Sequence, residues 1–494
     1  MLKNISLENF KAFEKLNDLE IKPLTILCGV NSGGKSSIIK SLLLLKQSYE
    51  NVSAANEATL NGIYTNNGLM KDILYNGKGE TFTIKNKFNI KFRGKKYIKN
   101  AKQDISTAKE LGKITGLNPG KISSFDINVL CCVKQGSVSE IWDTNFIERM
   151  EIIITPIGLN GCSVKDEEFK INMQYRSRGK GKYDIDLINF PTISGKKESC
   201  KLDGCVCYFS GMRLTNLYYE VGQSENKSVV LNDFLTNIYS IFRIISDQYN
   251  GIKYLGPLRE NPRRQYAINS DCYTTNSTGI DTPFILAKEK GKRVIAELYP
   301  PEDEFDFSKK YTPNEKSLFE LVQMWMRYFE AGNISIENRY DSLQVKIKSN
   351  NIADVGFGIS QILPVIVHGL AMDFEQTLIL EQPEIHLHPR MQMRMSDFLL
   401  SLSETNHCVI VETHSDHIIN RLVRRALESG DNSIVNNIAI YFVNNTENGS
   451  TVENIKIDMV RGITDCPKEF FSQFASETSY IIKAGINNMG KEEL

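Results

Sequence analysis

The sequence predicts an α/β fold: a mixed sheet built from N- and C-terminal segments, with a large α+β insertion between them. Two observations carry this prediction. A glycine-rich loop follows predicted strands near the N-terminus, and two apolar strands that end in acidic or polar residues follow far along the chain, between residues 378 and 415. Because the carboxyl ends of parallel strands share one edge of an open sheet, we expect these features to meet there.

The N-terminal loop has the pattern G-x-x-x-x-G-K-[ST], which is typical of a P-loop. It follows the apolar run Leu24–Leu27 and precedes a predicted apolar helix over residues 37–46. In such a loop, backbone N–H groups and the helix N-terminus face the β-phosphate, the lysine reaches the β- and γ-phosphates, and the serine ligates Mg2+. The candidate nucleotide-binding residues are Gly29, Asn31, Ser32, Gly33, Gly34, Lys35, Ser36 and Ser37.

Three further segments stand close together in the C-terminal part. Residues 355–361 (VGFGISQ) open a predicted helix with small residues where its N-terminus could face a phosphate. The run Leu378–Leu380 ends in Glu381-Gln382-Pro383-Glu384, and the run Val409–Val411 ends in Glu412-Thr413-His414-Ser415. These strand ends predict that Glu381 and Ser36 share the metal ion of a bound nucleotide.

Composition excludes several classes of protein. Lys+Arg and Asp+Glu both total 59, so no net charge attracts nucleic acid or an anionic membrane over a long distance. No apolar run is long enough for a membrane span, and the N-terminus lacks the apolar region of a signal peptide, so a cytoplasmic protein is expected. The ten cysteines of a non-secreted chain indicate reduced thiols.

Two other groups of residues in the sequence could form a metal site. Cys200, Cys205 and Cys207 could bind zinc, although their spacing lacks the paired C-x2-C form and favours buried thiols. All six histidines fall between residues 368 and 417, and a group of four of them could also bind a metal. The four are His386, His388, His414 and His417.

The motifs resemble those of ABC-type ATPases of the SMC, RecF and OLD kind, and most closely bacterial antiphage-defence ATPases such as the Septu and PARIS ATPase subunits. The segments that carry the resemblance are GFGISQILPV, LILEQPEIHLHPR, VIVETHSDHIINRL and YLGPLR. The resemblance implies a head that binds ATP and Mg2+ and pairs head-to-tail with a second copy. Gly358 and Ser360 would then contact the ATP of the partner, and His414 would contact the γ-phosphate.

The resemblance covers residues 1–75, as the N-terminal half of the head, and residues 251–475, as the C-terminal half. Residues 76–250 are then an inserted α+β domain, and residues 476–494 a tail. Within the insertion, two basic stretches (residues 91–102 and 176–182) could contact nucleic acid or simply be solvated. Asp184 and Asp186 form a D-x-D that favours an exposed strand over a nuclease site.

One departure from the family pattern affects the predicted mechanism. A catalytic glutamate usually follows the metal-binding acid, but here Gln382 follows Glu381. An amide cannot accept a proton from water, so Glu384 is the alternative base, with Gln382 orienting the water. The candidate catalytic residues are Glu381, Gln382, Glu384 and His414, and we expect slow hydrolysis.

Three functions follow from these features. The first is an ATP-gated sensor or scaffold subunit of an antiphage system, which controls a separate effector such as a nuclease, because little of the chain is left for a fused nuclease domain. The second is a RecF- or SMC-like ATPase that clamps DNA, which the neutral charge disfavours. The third is the nucleotide-binding subunit of a transporter, which the size of the insertion disfavours.

Overall fold

The structure is a computed structural model, and it describes most of the chain. The described residues are 1–51, 57–92, 105–117, 121–138, 143–176, 181–192, 196–219, 225–268, 277–294, 298–304, 316–373, 375–405, 407–430, 432–447, 449–464 and 467.

The strands and helices are numbered in chain order. The strands are β1 (Leu2–Phe10), β2 (Phe13–Glu20), β3 (Leu24–Gly29), β4 (Thr81–Lys91), β5 (Ile122–Val138), β6 (Asp143–Gly158), β7 (Phe169–Tyr175), β8 (Lys182–Pro191), β9 (Lys197–Ser210), β10 (Arg213–Tyr218), β11 (Ile252–Leu255), β12 (Tyr266–Ala267), β13 (Arg293–Val294), β14 (Lys316–Ser317), β15 (Ile334–Arg339), β16 (Ser342–Ile347), β17 (Asn350–Asn351), β18 (Thr377–Glu381), β19 (Cys408–Glu412), β20 (Ile438–Thr446), β21 (Gly449–Asp458) and β22 (Gly462–Thr464). The helices are α1 (Lys35–Glu50), α2 (Met70–Ile73), α3 (Ile105–Thr115), α4 (Glu225–Asn250), α5 (Thr282–Glu289), α6 (Leu318–Tyr328), α7 (Phe357–Leu370), α8 (Pro389–Ser403), α9 (Asp416–Glu428) and α10 (Asn432–Asn437).

A mixed sheet joins the two ends of the chain. Its strand order is β11-β18-β19-β3-β20-β21-β22, and the five strands from β11 to β20 run parallel. These strands are continuous apolar runs such as CVIVE in β19, because a parallel sheet is buried on both faces. The predicted α/β fold, with a sheet built from N- and C-terminal segments, is confirmed.

A second sheet of nine strands has the order β10-β9-β8-β7-β6-β5-β4-β1-β2. Buried residues alternate with partly buried ones along β4, so one face of this sheet covers a core. Strands β4 to β10 of this sheet belong to the predicted α+β insertion. Because β4 pairs with β1, the predicted insertion of residues 76–250 continues the sheet begun by residues 2–20. The proposed domain boundaries stay a prediction.

The aromatic residues Trp325 and Phe329, on α6 and at its C-terminal end, are buried in the core. Ser317 caps the N-terminus of α6 by accepting a hydrogen bond from the backbone N–H of Glu320, whose carboxylate accepts from the N–H of Ser317 in return. The fully buried Trp325 donates from Nε1 to the carbonyl of Leu298 at 2.8 Å.

In the described part of the chain, no helix has the length and apolarity that crossing a membrane would require.

The two alternative metal sites find no support among the described residues, where no group of three or more His, Cys, Asp or Glu side chains could hold a metal ion. Cys205 and Cys207 are buried thiols of β9. His388 caps α8, and the ring of His386 packs edge-on against that of Phe357. Asp184 is paired with Arg176 at 3.2 Å.

Several predicted segments lie wholly or partly outside the described residues. These are most of the basic stretch 91–102, residues 177–180 of the stretch 176–182, residues 468–475 of the predicted C-terminal half of the head and the tail 476–494.

Candidate active site

The P-loop connects β3 to α1, and its glycines are required by both backbone angle and space. Gly29 has φ 127° and Gly34 has φ 108°, conformations that L-residues with a side chain rarely adopt. A Cβ on Gly29 would lie 2.1 Å from the carbonyl oxygen of Val443. The loop therefore packs directly on the end of β20, which fixes its position relative to the C-terminal half of the sheet.

Lys35 lies at the start of α1 and is only 3% exposed. Its Nζ donates to the carbonyl oxygens of Gly29 and Val30, at 3.1 and 2.7 Å. Burial lowers the pKa of Lys35, and the nearby charge of Glu412 opposes that shift. The ammonium group is thus held inside the curl of the loop, where a phosphate oxygen could replace the carbonyl acceptors.

Ser36 links the two distant ends of the chain. Its hydroxyl donates to the Glu412 carboxylate, with distances of 3.1 and 3.0 Å to the two oxygens. Sequence reasoning named Ser36 but assigned no role to Glu412, although Glu412 ends an apolar strand just as Glu381 does. The position at the end of an apolar strand, which Glu412 shares with Glu381, could have identified Glu412 from the sequence.

Glu381 lies beside Glu412, because the two residues are direct partners in the parallel pairing of β18 with β19. The Tyr254 hydroxyl donates to Oε1 of Glu381 at 3.0 Å. Burial, followed by the negative charge of Glu412, raises the pKa of Glu381 to about 7. Tyr254, which sequence reasoning placed only among family landmarks, is therefore a contact of this carboxylate.

Residues 382–388 form the turn between β18 and α8. Gln382 has φ 46°, and its N–H donates to the carbonyl of Glu412 at 2.7 Å, which ties the turn to β19. Glu384 is buried, and its Oε1 accepts a hydrogen bond from the N–H of His414 at 2.8 Å. Burial raises the pKa of Glu384 and lowers the pKa of His414. All four predicted catalytic residues thus lie at the ends of β18 and β19.

The predicted contacts with the partner's ATP, Gly358 and Ser360, lie in the first turn of α7. The Ser360 hydroxyl donates to the carbonyl of Phe357 in its own helix, at 2.7 Å, and Ser360 is buried. Gly358 packs against the carbonyl of His386. Among the described hydrogen bonds, none joins Gly358 or Ser360 to the P-loop. Their contact with a nucleotide stays a prediction.

The oxygen atoms that this site offers as metal ligands fit a Mg2+ ion bound to a nucleotide. Mg2+ prefers oxygen ligands and is usually held by one or two carboxylates together with substrate phosphates and water. The Ser36 hydroxyl and the carboxylates of Glu381 and Glu412 supply such oxygens, and the two neighbouring carboxylates favour a cation between them.

The raised pKa of Glu381 predicts a pH-dependent stability. Between its ordinary value of 4.5 and about 7, the folded protein keeps a proton that the unfolded chain releases, so stability falls as pH rises through this window. In the absence of metal and nucleotide, the free energy of unfolding should fall less from about pH 5 to about pH 8 in Glu381→Gln than in the wild type. Urea titrations at both pH values test this, and an equal fall in both proteins would contradict it.

Comparison with known proteins gives the family. Three solved structures are among those similar to the chain. One is an SMC head bound to the C-winged helix domain of ScpA, with 13% identity over 93% of this chain and 98% of that one and a TM-score of 0.39. Another is an SMC head domain from Thermotoga maritima, with 10% identity over 92% of this chain and 99% of that one and a TM-score of 0.34. The third is an SMC head with an extended coiled coil bound to the C-terminal domain of ScpA derived from Pyrococcus furiosus, with 13% identity over 92% of this chain and 96% of that one and a TM-score of 0.37. No curated protein matches the chain. Residues 1–199 and 223–419 match the model of the AAA ATPase domain, and the chain therefore belongs to this family of ATPases.

Proposed function

We propose that the protein hydrolyses Mg·ATP slowly and pairs head-to-tail with a second copy around the nucleotide, as the sensor or scaffold subunit of a bacterial antiphage system that controls a separate effector. The observation that carries the proposal is the contact of Ser36 with Glu412, which gathers a P-loop and two acidic strand ends at one sheet edge. Hydrolysis needs these groups together, since phosphoryl transfer is catalysed mainly by positioning and charge stabilisation.

Slow turnover follows from the residue after Glu381. Gln382 cannot act as a base, and the nearby Glu384 has one carboxylate oxygen already engaged by the N–H of His414. Gln382→Glu should therefore raise the steady-state ATPase rate by about tenfold or more. Gln174→Glu, an exposed position on β7, is the matched control and should leave the rate unchanged. A fast wild-type rate that Gln382→Glu does not alter would contradict the proposal.

The N-terminus of α7 is the surface we assign to the second copy. Gly356 precedes α7 without a side-chain cap, and a Cβ on it would meet no atom within 4 Å. Phe357, the first residue of α7, is a large apolar residue with 42% of its surface exposed. An exposed apolar group at an uncapped helix N-terminus suits a partner that brings a phosphate.

Gly356→Trp tests this pairing, because a Cβ at this position meets no atom of the isolated chain, whereas a bulky side chain there would obstruct a partner. Analytical ultracentrifugation with Mg2+ and a non-hydrolysable ATP analogue should show a dimer for the wild type and a monomer for Gly356→Trp. Gly291→Trp, at another glycine with open space around it, should dimerise normally. A Gly356→Trp protein that still dimerises with the analogue would place the interface elsewhere.

The defence role is tested in cells with the complete gene cluster. A Lys35→Ala version should lose protection against phage in a plating assay, and a purified neighbouring gene product should co-elute with the wild-type chain. Full protection by the Lys35→Ala version would contradict an ATP-gated role in defence.

A further inference from the structure

Arg259 lies in the loop that follows β11, next to the turn that carries the predicted catalytic carboxylates. Leu255, the last residue of β11, is the parallel partner of Leu380 in β18, so the segments after the two strands leave the sheet side by side. Leu258 points outward with 82% of its surface exposed, whereas Arg259 is only 6% exposed. The loop thus turns a charged side chain inward at the carboxyl edge of the sheet.

The guanidinium group of Arg259 is incompletely hydrogen-bonded. Its Nη2 donates to the backbone carbonyl of Glu381 at 3.2 Å, but the buried Nε and Nη1 have no hydrogen-bond partner among the described residues. A buried charge with unmet donors is costly, and native proteins retain few such groups. A buried arginine at the edge of an active site is therefore better explained by a role in catalysis than by stability.

Glu384 has an opposite charge to Arg259 and a buried oxygen atom without a hydrogen-bond partner among the described residues. Its Oε1 accepts from the His414 N–H, while its Oε2 is buried without a hydrogen-bond partner. Arg259 and Glu384 interact through their opposite charges but lie too far apart for an ion pair. Arg259 thus has two buried donors and Glu384 one buried acceptor without a partner among the described residues, and Arg259 is bonded to the backbone three residues before Glu384.

We propose that Arg259 is a positioning residue for ATP hydrolysis, which fixes the turn from Glu381 to Glu384 and thereby places the Glu384 carboxylate towards the attacking water. This inference rests on the proposed hydrolysis. In that step the water oxygen forms a bond to the γ-phosphorus, and the bond from the γ-phosphorus to the β,γ-bridging oxygen breaks. ADP leaves with the electron pair, and the proton of the water passes to Glu384, which later releases it to solvent.

A double-mutant cycle tests the inference in the full-length protein, with kcat and KM for ATP measured for each variant. Arg259→Gln should lower kcat by about 10²-fold, as expected for a misplaced catalytic group, with KM changed by less than about twofold. Arg259→Lys should recover part of the loss. Because Arg259 acts through Glu384, the variant carrying both Arg259→Gln and Glu384→Gln should be no slower than Glu384→Gln.

Arg263→Gln is the matched control, since Arg263 belongs to the same loop but is exposed and pairs with Glu260; it should retain wild-type kinetics. Losses that multiply in the double variant, or a wild-type kcat in Arg259→Gln, would overturn the role of Arg259 while leaving the proposed ATPase intact. A wild-type chain that hydrolyses no ATP would instead overturn the proposed function. Thermal melting and binding of a non-hydrolysable analogue by Arg259→Lys separate a catalytic loss from misfolding.

Discussion

Replacing Lys35 by alanine should weaken the binding of ATP by roughly 10²-fold or more, because a buried ammonium group that contacts phosphate oxygens is lost. In the structure, Nζ of Lys35 is already held within the loop by the carbonyls of Gly29 and Val30. The side chain therefore needs little reorganisation to meet a phosphate. Isothermal titration calorimetry with ATP and Mg2+ gives the change in Kd.

Two variants separate the contact from general effects of charge. Lys35→Arg keeps the positive charge but replaces a compact ammonium with a planar group, and it should also bind poorly. Lys201→Ala removes an exposed lysine of β9 and should bind ATP like the wild type. Wild-type affinity in Lys35→Ala would mean that the nucleotide does not occupy this loop.

Replacing Asp397 by alanine should cost about 3–5 kcal/mol of stability, because the buried charges of Arg421 and Arg425 would lose the carboxylate that they share. Asp397 of α8 is buried and contacts Arg421 at 2.9 Å and Arg425 at 2.7 Å, both on α9. The Tyr328 hydroxyl donates to the same carboxylate. Both arginines also donate to the backbone carbonyl of Glu304, at 2.9 Å each.

Urea unfolding followed by circular dichroism measures this loss. Glu428→Ala is the control, because Glu428 pairs with Arg425 and Arg424 nearer the surface and should cost no more than about 1 kcal/mol. The ion pairs of Asp397 with Arg421 and Arg425 matter for the site because they join α8 to α9. These two helices follow directly on the segments that carry Glu384 and His414. Equal stability of Asp397→Ala and Glu428→Ala would show that these ion pairs do not hold the two helices.

The parts of the site that could be predicted from sequence are those encoded locally. The P-loop is a continuous pattern whose glycines, lysine and serine each have a fixed task, and the strands before Glu381 and His414 are apolar runs that end abruptly. Helix bounds were less exact: α1 extends over Lys35–Glu50, beyond the predicted residues 37–46 at both ends. Local periodicity indicates that a helix exists more reliably than where it ends.

The parts that could not be predicted depend on which strands become neighbours. Glu412 contacts Ser36 because β19 lies next to β3, and Tyr254 and Arg259 reach the site because β11 lies next to β18. Alternating apolar residues identify a strand but not its partner, and this is also why the pairing of β4 with β1 escaped prediction. The ion pairs of Asp397 with Arg421 and Arg425 could not be predicted either, because the periodicity of a helix does not show which other helix packs against it.

The central claim is that residues from both ends of the chain surround one metal-bound nucleotide. The most direct test is a crystal structure with a non-hydrolysable ATP analogue and Mn2+, which replaces Mg2+ and is located by its anomalous scattering. The account predicts a metal bound by the Ser36 hydroxyl, the analogue's phosphates and a carboxylate from Glu381 or Glu412, either directly or through one water. A metal-bound nucleotide on the P-loop whose metal lies away from both carboxylates would contradict it.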